Sequence, residues 1–201
     1  MKRVQLIILS VCISVFCLIT NGFASSYDLR QQGIQNAPVL LYVFSSPSCS
    51  HCAVFHHNVL PVLQKQFINT QQARLIYVDM PATAKDLYAT MIGRCLDKRF
   101  YQTYMQMIFQ QQRSWIYSRD FEQQLLDYAH QVGADINTVK TCLNDDFLIN
   151  KIIGQRDNLS TLYRVRALPS IVVVKQGETH LIKGTDTQAI TEQIKTIVEQ
   201  K

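Results

Sequence analysis

Two cysteines three residues apart, Cys49 and Cys52 in the stretch FSSPSCSHCAVFHH over residues 44–57, enclose Ser50 and His51. Thiols at this spacing can clip a metal ion, supply half of a zinc site, hold a haem or form a redox pair. A structural zinc site wants four ligands, as two such pairs or one pair with two histidines at finger spacing. Here Cys95 and Cys142 are lone and far apart, and His56 and His57 are adjacent. Haem attachment wants a histidine directly after the second cysteine, and Ala53 stands there. A purely structural bond across so small a loop removes little unfolded-state entropy. Redox chemistry is the reading the pattern fits best.

The flanking residues place the pair between a strand and a helix. PVLLYVF, residues 38–44, is a short apolar run rich in strand formers and fenced by Pro38 and Ser45. After it, Val54, Phe55, Val59, Leu63 and Phe67 recur at helical spacing, and Pro61 should kink that helix. ARLIYVDM, residues 73–80, reads as the next strand, so the segment is a βαβ unit with parallel strands. Cys49 then sits at a helix N-terminus, where backbone N–H groups favour thiolate over thiol and lower the pKa. A stabilised thiolate leaves readily and stabilises the reduced form, which makes the disulfide a strong oxidant. In that chemistry Cys49 forms the mixed disulfide and Cys52 resolves it. His51 can add a hydrogen bond or a positive charge. His56 and His57 fall about two turns on, with at least one facing solvent and no assigned role.

From Thr83 to Tyr163 helical spacing replaces strand patterning. LYATMIGRCL, FYQTYMQMIF, RDFEQQLLDYAHQVG and INTVKTCLNDDFLINKIIGQRDNL each carry an apolar stripe, and QQQRS near 110–114 reads as a polar surface turn. Met80, Trp115 and Tyr117 fit either a groove or the core. Strand patterning resumes in IVVVKQGETHLIKG, residues 171–184, with a hairpin signal at QGE, and an amphipathic helix closes the chain. Residues 25–37 read as a polar loop or arm. RALPSIVVV is the second informative stretch, because Leu168–Pro169 directly precedes a strand and could stand opposite the cysteine pair.

The chain has 201 residues, 47% hydrophobic and 17% charged, enough for an ordinary core. Its formal charge of +5 is not gathered into a basic run, which argues against nucleic acid as a partner. Lys2 and Arg3, the apolar stretch LIILSVCISVFCLI and the small residues of NGFASS predict a secretory signal over 1–24, cut after Ala24. The alternative is an uncleaved anchor, against which stands the length of that apolar stretch, shorter than the roughly 20 residues of a spanning helix. Cleavage leaves Cys49, Cys52, Cys95 and Cys142 in an oxidising compartment. Four cysteines allow three pairings, and the one that spares the Cys49/Cys52 pair joins Cys95 to Cys142.

Taken together, the strand leading into SPSCSHC, the helix through Pro61, the helical block and LPSIVVVKQG resemble the DsbA-like thiol oxidoreductases of the thioredoxin superfamily. The likeness spans about residues 38–201. It implies an α/β chain, a thioredoxin fold with an inserted all-helical domain, divided as 25–82, 83–163 and 164–201. It implies that Cys49 is the nucleophile and Cys52 the resolving thiol, with Leu168 and a cis Pro169 holding the substrate backbone. It also implies no cofactor, reduced exported polypeptides as substrates, and re-oxidation by a quinone-linked membrane partner of the DsbB type. The protein would be periplasmic and monomeric. Some relatives carry a second disulfide in the helical domain, so Cys95–Cys142 is expected, against the alternative of two buried free thiols. Two departures stand out: Leu168, where related oxidases more often carry Val, and Tyr42, where many relatives bury an acid.

Two other functions compete. A disulfide isomerase or reductase could use the same fold, although residues 25–37 are too few for the added dimerisation domain of the DsbC type. A thioredoxin-fold chaperone or binding module would make the cysteine pair incidental.

Overall fold

The computed structural model describes residues 29–200, so the expected signal over 1–24 lies outside the described residues. A five-stranded sheet forms the centre, in the order β1-β3-β2-β4-β5. Its first strand, β1 (Gln31–Gln32), pairs antiparallel with β3 (Ala73–Asp79). On the other side of β3 in the sheet, although between the two in sequence, β2 (Val39–Ser45) runs parallel to β3 along its whole length, from Val39↔Ala73 to Ser45↔Asp79. The expected loop over 25–37 thus holds a short edge strand. Its polar residues hide the pairing, which runs through the backbone at Gln31↔Ile76 and Gln32↔Leu75 and is joined by a bond from the Tyr77 hydroxyl to the Gln32 side chain.

The far half of the sheet is a hairpin. β4 (Ser170–Lys175) pairs antiparallel with β2 and with β5 (Glu178–Lys183). Gln176 and Gly177 both adopt positive φ, 51° and 88°, as a two-residue hairpin turn requires. Side chains alternate across the sheet. Val39, Leu41, Val43, Leu75 and Val173 point to one face, where they meet the helices. Phe44, Val78 and Val172 point to the other, against Val165, Leu159 and Tyr163.

Residues 50–68 form one continuous helix, α1. It alternates α-helical segments (Ser50–Val54, Leu60–Leu63) with π-helical ones (Phe55–Val59, Gln64–Ile68). Pro61 follows the first wide turn. A proline lacks the N–H that an α-turn would use, and the widened turn just before it carries the helix past the proline without a break.

Six helices lie between β3 and β4: α2 (Ala84–Cys95), α3 (Lys98–Gln110), α4 (Gln112–Tyr117), α5 (Phe121–Gln131), α6 (Ile136–Leu143) and α7 (Asp146–Leu162). The long stripe over 136–159 is two helices, because Asp145 caps a new one through the Phe147 N–H. α8 (Thr187–Glu199) returns to the sheet. Trp115 is fully buried and donates to the Ile108 carbonyl at 2.8 Å, whereas Tyr117 is exposed and Met80 is half-buried beside Phe44 and Val165. None of the described helices is long and apolar enough to cross a membrane.

The C-terminal end of α2 is pinned on three sides. Arg30 donates to the carbonyls of Arg94 and Leu96, each at 2.6 Å. Arg94 pairs with Asp79 at the end of β3, and both are buried. Cys95 is joined to Cys142 on α6, with 5.8 Å between the Cα atoms.

Candidate active site

Strand β2 ends at Ser45, and four residues later Cys49 caps α1. Its extended backbone (φ −74°, ψ 116°) turns the sulfur onto the first turn, where it accepts the Cys52 N–H at 3.3 Å. A capping side chain that accepts N–H groups is better as an anion than as a neutral thiol. Cys49 is half-buried, Cys52 is fully buried, and both are free thiols. The Cys49 thiol is pulled down to about 6, above all because the Cys52 thiol hydrogen-bonds its anion. Burial opposes this. The N–H groups of Cys52 and His51, and the charge of His51, reinforce it. The Cys52 thiol is pushed up, first by that shared hydrogen bond and then by burial. One sulfur is thus accessible and ionised near neutrality, and the other is sequestered and protonated.

His51 is exposed on α1, and His57 is exposed as well. His56 is different. It is buried, stacks on Phe109 with ring centroids 3.8 Å apart, and its Nε2 lies 3.0 Å from Ser45 Oγ. Burial depresses its pKa to about 3, so the ring stays neutral. Tyr42 is half-buried and packs on Tyr163 at 5.2 Å, on the sheet face opposite α1.

The Leu168–Pro169 peptide bond is cis. The antiparallel register Phe44↔Ser170 brings the loop before β4 to the same end of the sheet as the loop after β2. Leu168 is half-buried between the cores on the two faces of the sheet, and Cys49 packs against one of these as well. Cys49, Cys52, His51, Leu168 and Pro169 therefore gather at one end. Cys95 and Cys142 do not join them. Cys95 lies at the far end of α2, roughly 13 Å along the helix from Asp86, at 1.5 Å per residue.

Two residues that the sequence reading passed over hold the cysteine loop. Asp86, fully buried, accepts the Ser48 N–H at 2.7 Å and the N–H groups of Ala82 and Thr83 at 3.1 Å. Thr83 and Asp86 form a capping box, a spacing visible in the sequence, although nothing in it shows the bond to Ser48. Gln112 lies in the stretch read as a polar surface turn, and that reading is corrected. Gln112 is buried, and its Nε2 donates to the carbonyls of Pro47 and Cys49 at 2.8 and 3.0 Å. A polar triplet hides one buried donor because composition carries no information about direction.

Residues 26–196 match the family model described as "Thioredoxin". The chain belongs to the thioredoxin family. Among solved structures, alpha-DsbA1 of Wolbachia pipientis superposes with a TM-score of 0.76 at 21% identity, covering 85% of this chain and 91% of that one. BdbD of Bacillus subtilis gives 0.69 at 21% identity over 86% and 94%. The fold is thus the thioredoxin fold with a helical insertion seen in DsbA proteins. A Rickettsia typhi protein described as a "putative protein-disulfide oxidoreductase" is 29% identical over 142 residues, 70% of this chain. The chain spans about half the length of the curated relatives it matches, 53% in this case.

Proposed function

We propose that the protein is a periplasmic thiol:disulfide oxidoreductase that donates disulfide bonds to reduced exported polypeptides. The observation that carries this reading is the asymmetry of the pair: a half-buried Cys49 ionising near 6, hydrogen-bonded by a buried, protonated Cys52. The names borne by the similar proteins point the same way.

In the oxidised protein a substrate thiolate attacks the Cys49 sulfur, and the Cys49–Cys52 bond breaks. Cys52 leaves with the electron pair and takes a proton. A second substrate thiolate then attacks the substrate sulfur of the mixed disulfide. Cys49 leaves as a thiolate, held by the N–H of Cys52 and by its thiol. The substrate loses two electrons and the pair gains them. His51, exposed beside Cys49, adds positive charge when protonated, and the loop carrying Leu168 and Pro169 offers a surface for the substrate chain. Cys95–Cys142 acts as a structural bond in this scheme. Re-oxidation falls to a membrane oxidase of the DsbB type. The division into a signal (1–24), two thioredoxin-fold parts (25–82, 164–201) and a helical insertion (83–163), acting as a monomer, belongs to the same proposal.

The reduction potential of the Cys49/Cys52 pair tests it. Equilibration with glutathione should give a value well above the ~−270 mV of thioredoxin, towards the ~−120 mV of the strongest oxidants. A value at or below ~−270 mV makes donation wrong and points to a reductase.

A further inference from the structure

Little of the loop between β2 and α1 is held from within. The Cys49 N–H reaches the Ser46 carbonyl at 3.2 Å, and the Cys49 carbonyl receives the Ala53 N–H at 3.0 Å. The Ser46 N–H bonds the Cys52 sulfur, and the helical insertion supplies three more bonds: Asp86 on the Ser48 N–H, and Gln112 on the carbonyls of Pro47 and Cys49. Gln112 is the first residue of α4, 63 positions beyond Cys49.

We propose that Gln112 is a positioning residue that sets the reactivity of Cys49 by fixing the two carbonyls on either side of Ser48. The inference rests on the reading of Cys49 as the sulfur that exchanges with substrate.

The chemistry needs an amide. One NH2 group carries two diverging hydrogens, and here each meets a carbonyl. A methionine fills the same length and donates nothing. An asparagine keeps the donors but is one methylene short. The Cys49 carbonyl lies on the peptide plane that defines ψ at Cys49, and ψ decides whether its sulfur faces the first turn of α1. The N–H···S contact of 3.3 Å that results is one of the bonds through which the helix end acts on the sulfur. Because Gln112 is buried, its loss also leaves the Pro47 carbonyl without this donor, and water cannot freely replace it. The insertion thereby holds the nucleophile's geometry as well as covering the sheet.

The test is the thiolate titration of the reduced protein, followed at 240 nm, for wild type, Gln112→Met and Gln112→Asn. Alkylation and mass spectrometry assign the titrating sulfur, and thermal melts show that each variant is folded. In Gln112→Met the Cys49 midpoint should rise by about one unit, a roughly tenfold lower thiolate fraction at pH 5, with a smaller rise in Gln112→Asn. A purely structural residue would lower the melting temperature and leave the midpoint in place. Should Gln112→Met fail to fold, Gln112→Asn is read in its stead. A folded variant whose midpoint stays within about 0.3 unit of wild type overturns the inference. If the wild-type thiol that ionises near 6 is not Cys49, the parent reading falls and this inference falls with it. If wild type behaves as described and the variants do not shift, only the role of Gln112 is lost.

Discussion

Replacing Cys52 with alanine separates the two sources of thiolate stabilisation at Cys49. The buried Cys52 thiol is the largest influence on the Cys49 sulfur, and the N–H groups of the first helical turn come after it. A hydrogen bond to a charged group is worth about 1.5–3 kcal/mol, or about one to two pKa units at 1.36 kcal/mol each. The Cys49 sulfur is half-exposed, so water screens the bond and the lower end applies. The midpoint should therefore move from about 6 to roughly 7. The assay is thiolate absorbance against pH in the single-thiol protein. Cys95 and Cys142 are bonded to each other and do not contribute. A rate of alkylation at one pH is a poorer probe. At pH 6 the thiolate fraction would fall about fivefold, but a more basic thiolate is two- to threefold more nucleophilic, which cancels most of the effect. A midpoint that stays within about half a unit of wild type refutes the reasoning. The helix end alone would then account for the anion, and Cys52 would be a leaving group without a tuning role.

Three further outcomes are expected. His56 is buried and held neutral with its pKa near 3, so its contribution to stability is full above the unfolded value of ~6.5 and is lost as pH falls from there towards 3. Urea unfolding should show about 2 kcal/mol lost between pH 7.5 and 5 that His56→Gln does not lose, and equal slopes in the two proteins would contradict it. Asp79→Asn leaves Arg94 buried beside a neutral partner and should cost about 3–5 kcal/mol in denaturant midpoint analysis, with a loss under about 1 kcal/mol counting against the pair. Removing the Cys95–Cys142 bond by a double alanine substitution opens a closure of 47 residues. Unfolding free energy should fall by about 2–4 kcal/mol, and an unchanged value would show that the bond constrains nothing.

Patterns of period two and period 3.6 made the sheet and most helices legible, because burial of one face acts on every turn or pleat. Val39, Leu41 and Val43 face the helices and Phe44 faces the other way, as the alternation of β2 requires. What escaped was whatever depended on backbone rather than on pattern. β1 is two glutamines whose side chains reveal nothing of the pairing with β3. The π-turns of α1 leave no mark except Pro61, which makes a missing N–H predictable and its accommodation not. Asp145 splits one apolar stripe into two helices by a single cap.

The cysteine pair illustrates the same divide inside the site. Two thiols at this spacing after a strand announce their chemistry locally, since the helix N-terminus that polarises Cys49 is built from the next three residues. The asymmetry between the thiols is not local. Cys52 is buried because α1 lies on the sheet. The loop that aims Cys49 is held by Asp86 and Gln112, 38 and 63 positions from the atoms they bind. Both polar side chains gain value by being buried against particular backbone groups, Asp86 against N–H groups and Gln112 against two carbonyls. A composition-based reading assigns such residues to solvent, and that is where it placed Gln112. An insertion between β3 and β4 that merely covered the sheet could satisfy its own polar groups internally. That it instead spends a buried carboxylate and a buried amide on three consecutive residues before α1 is the physical reason to treat the helical insertion as part of the active site.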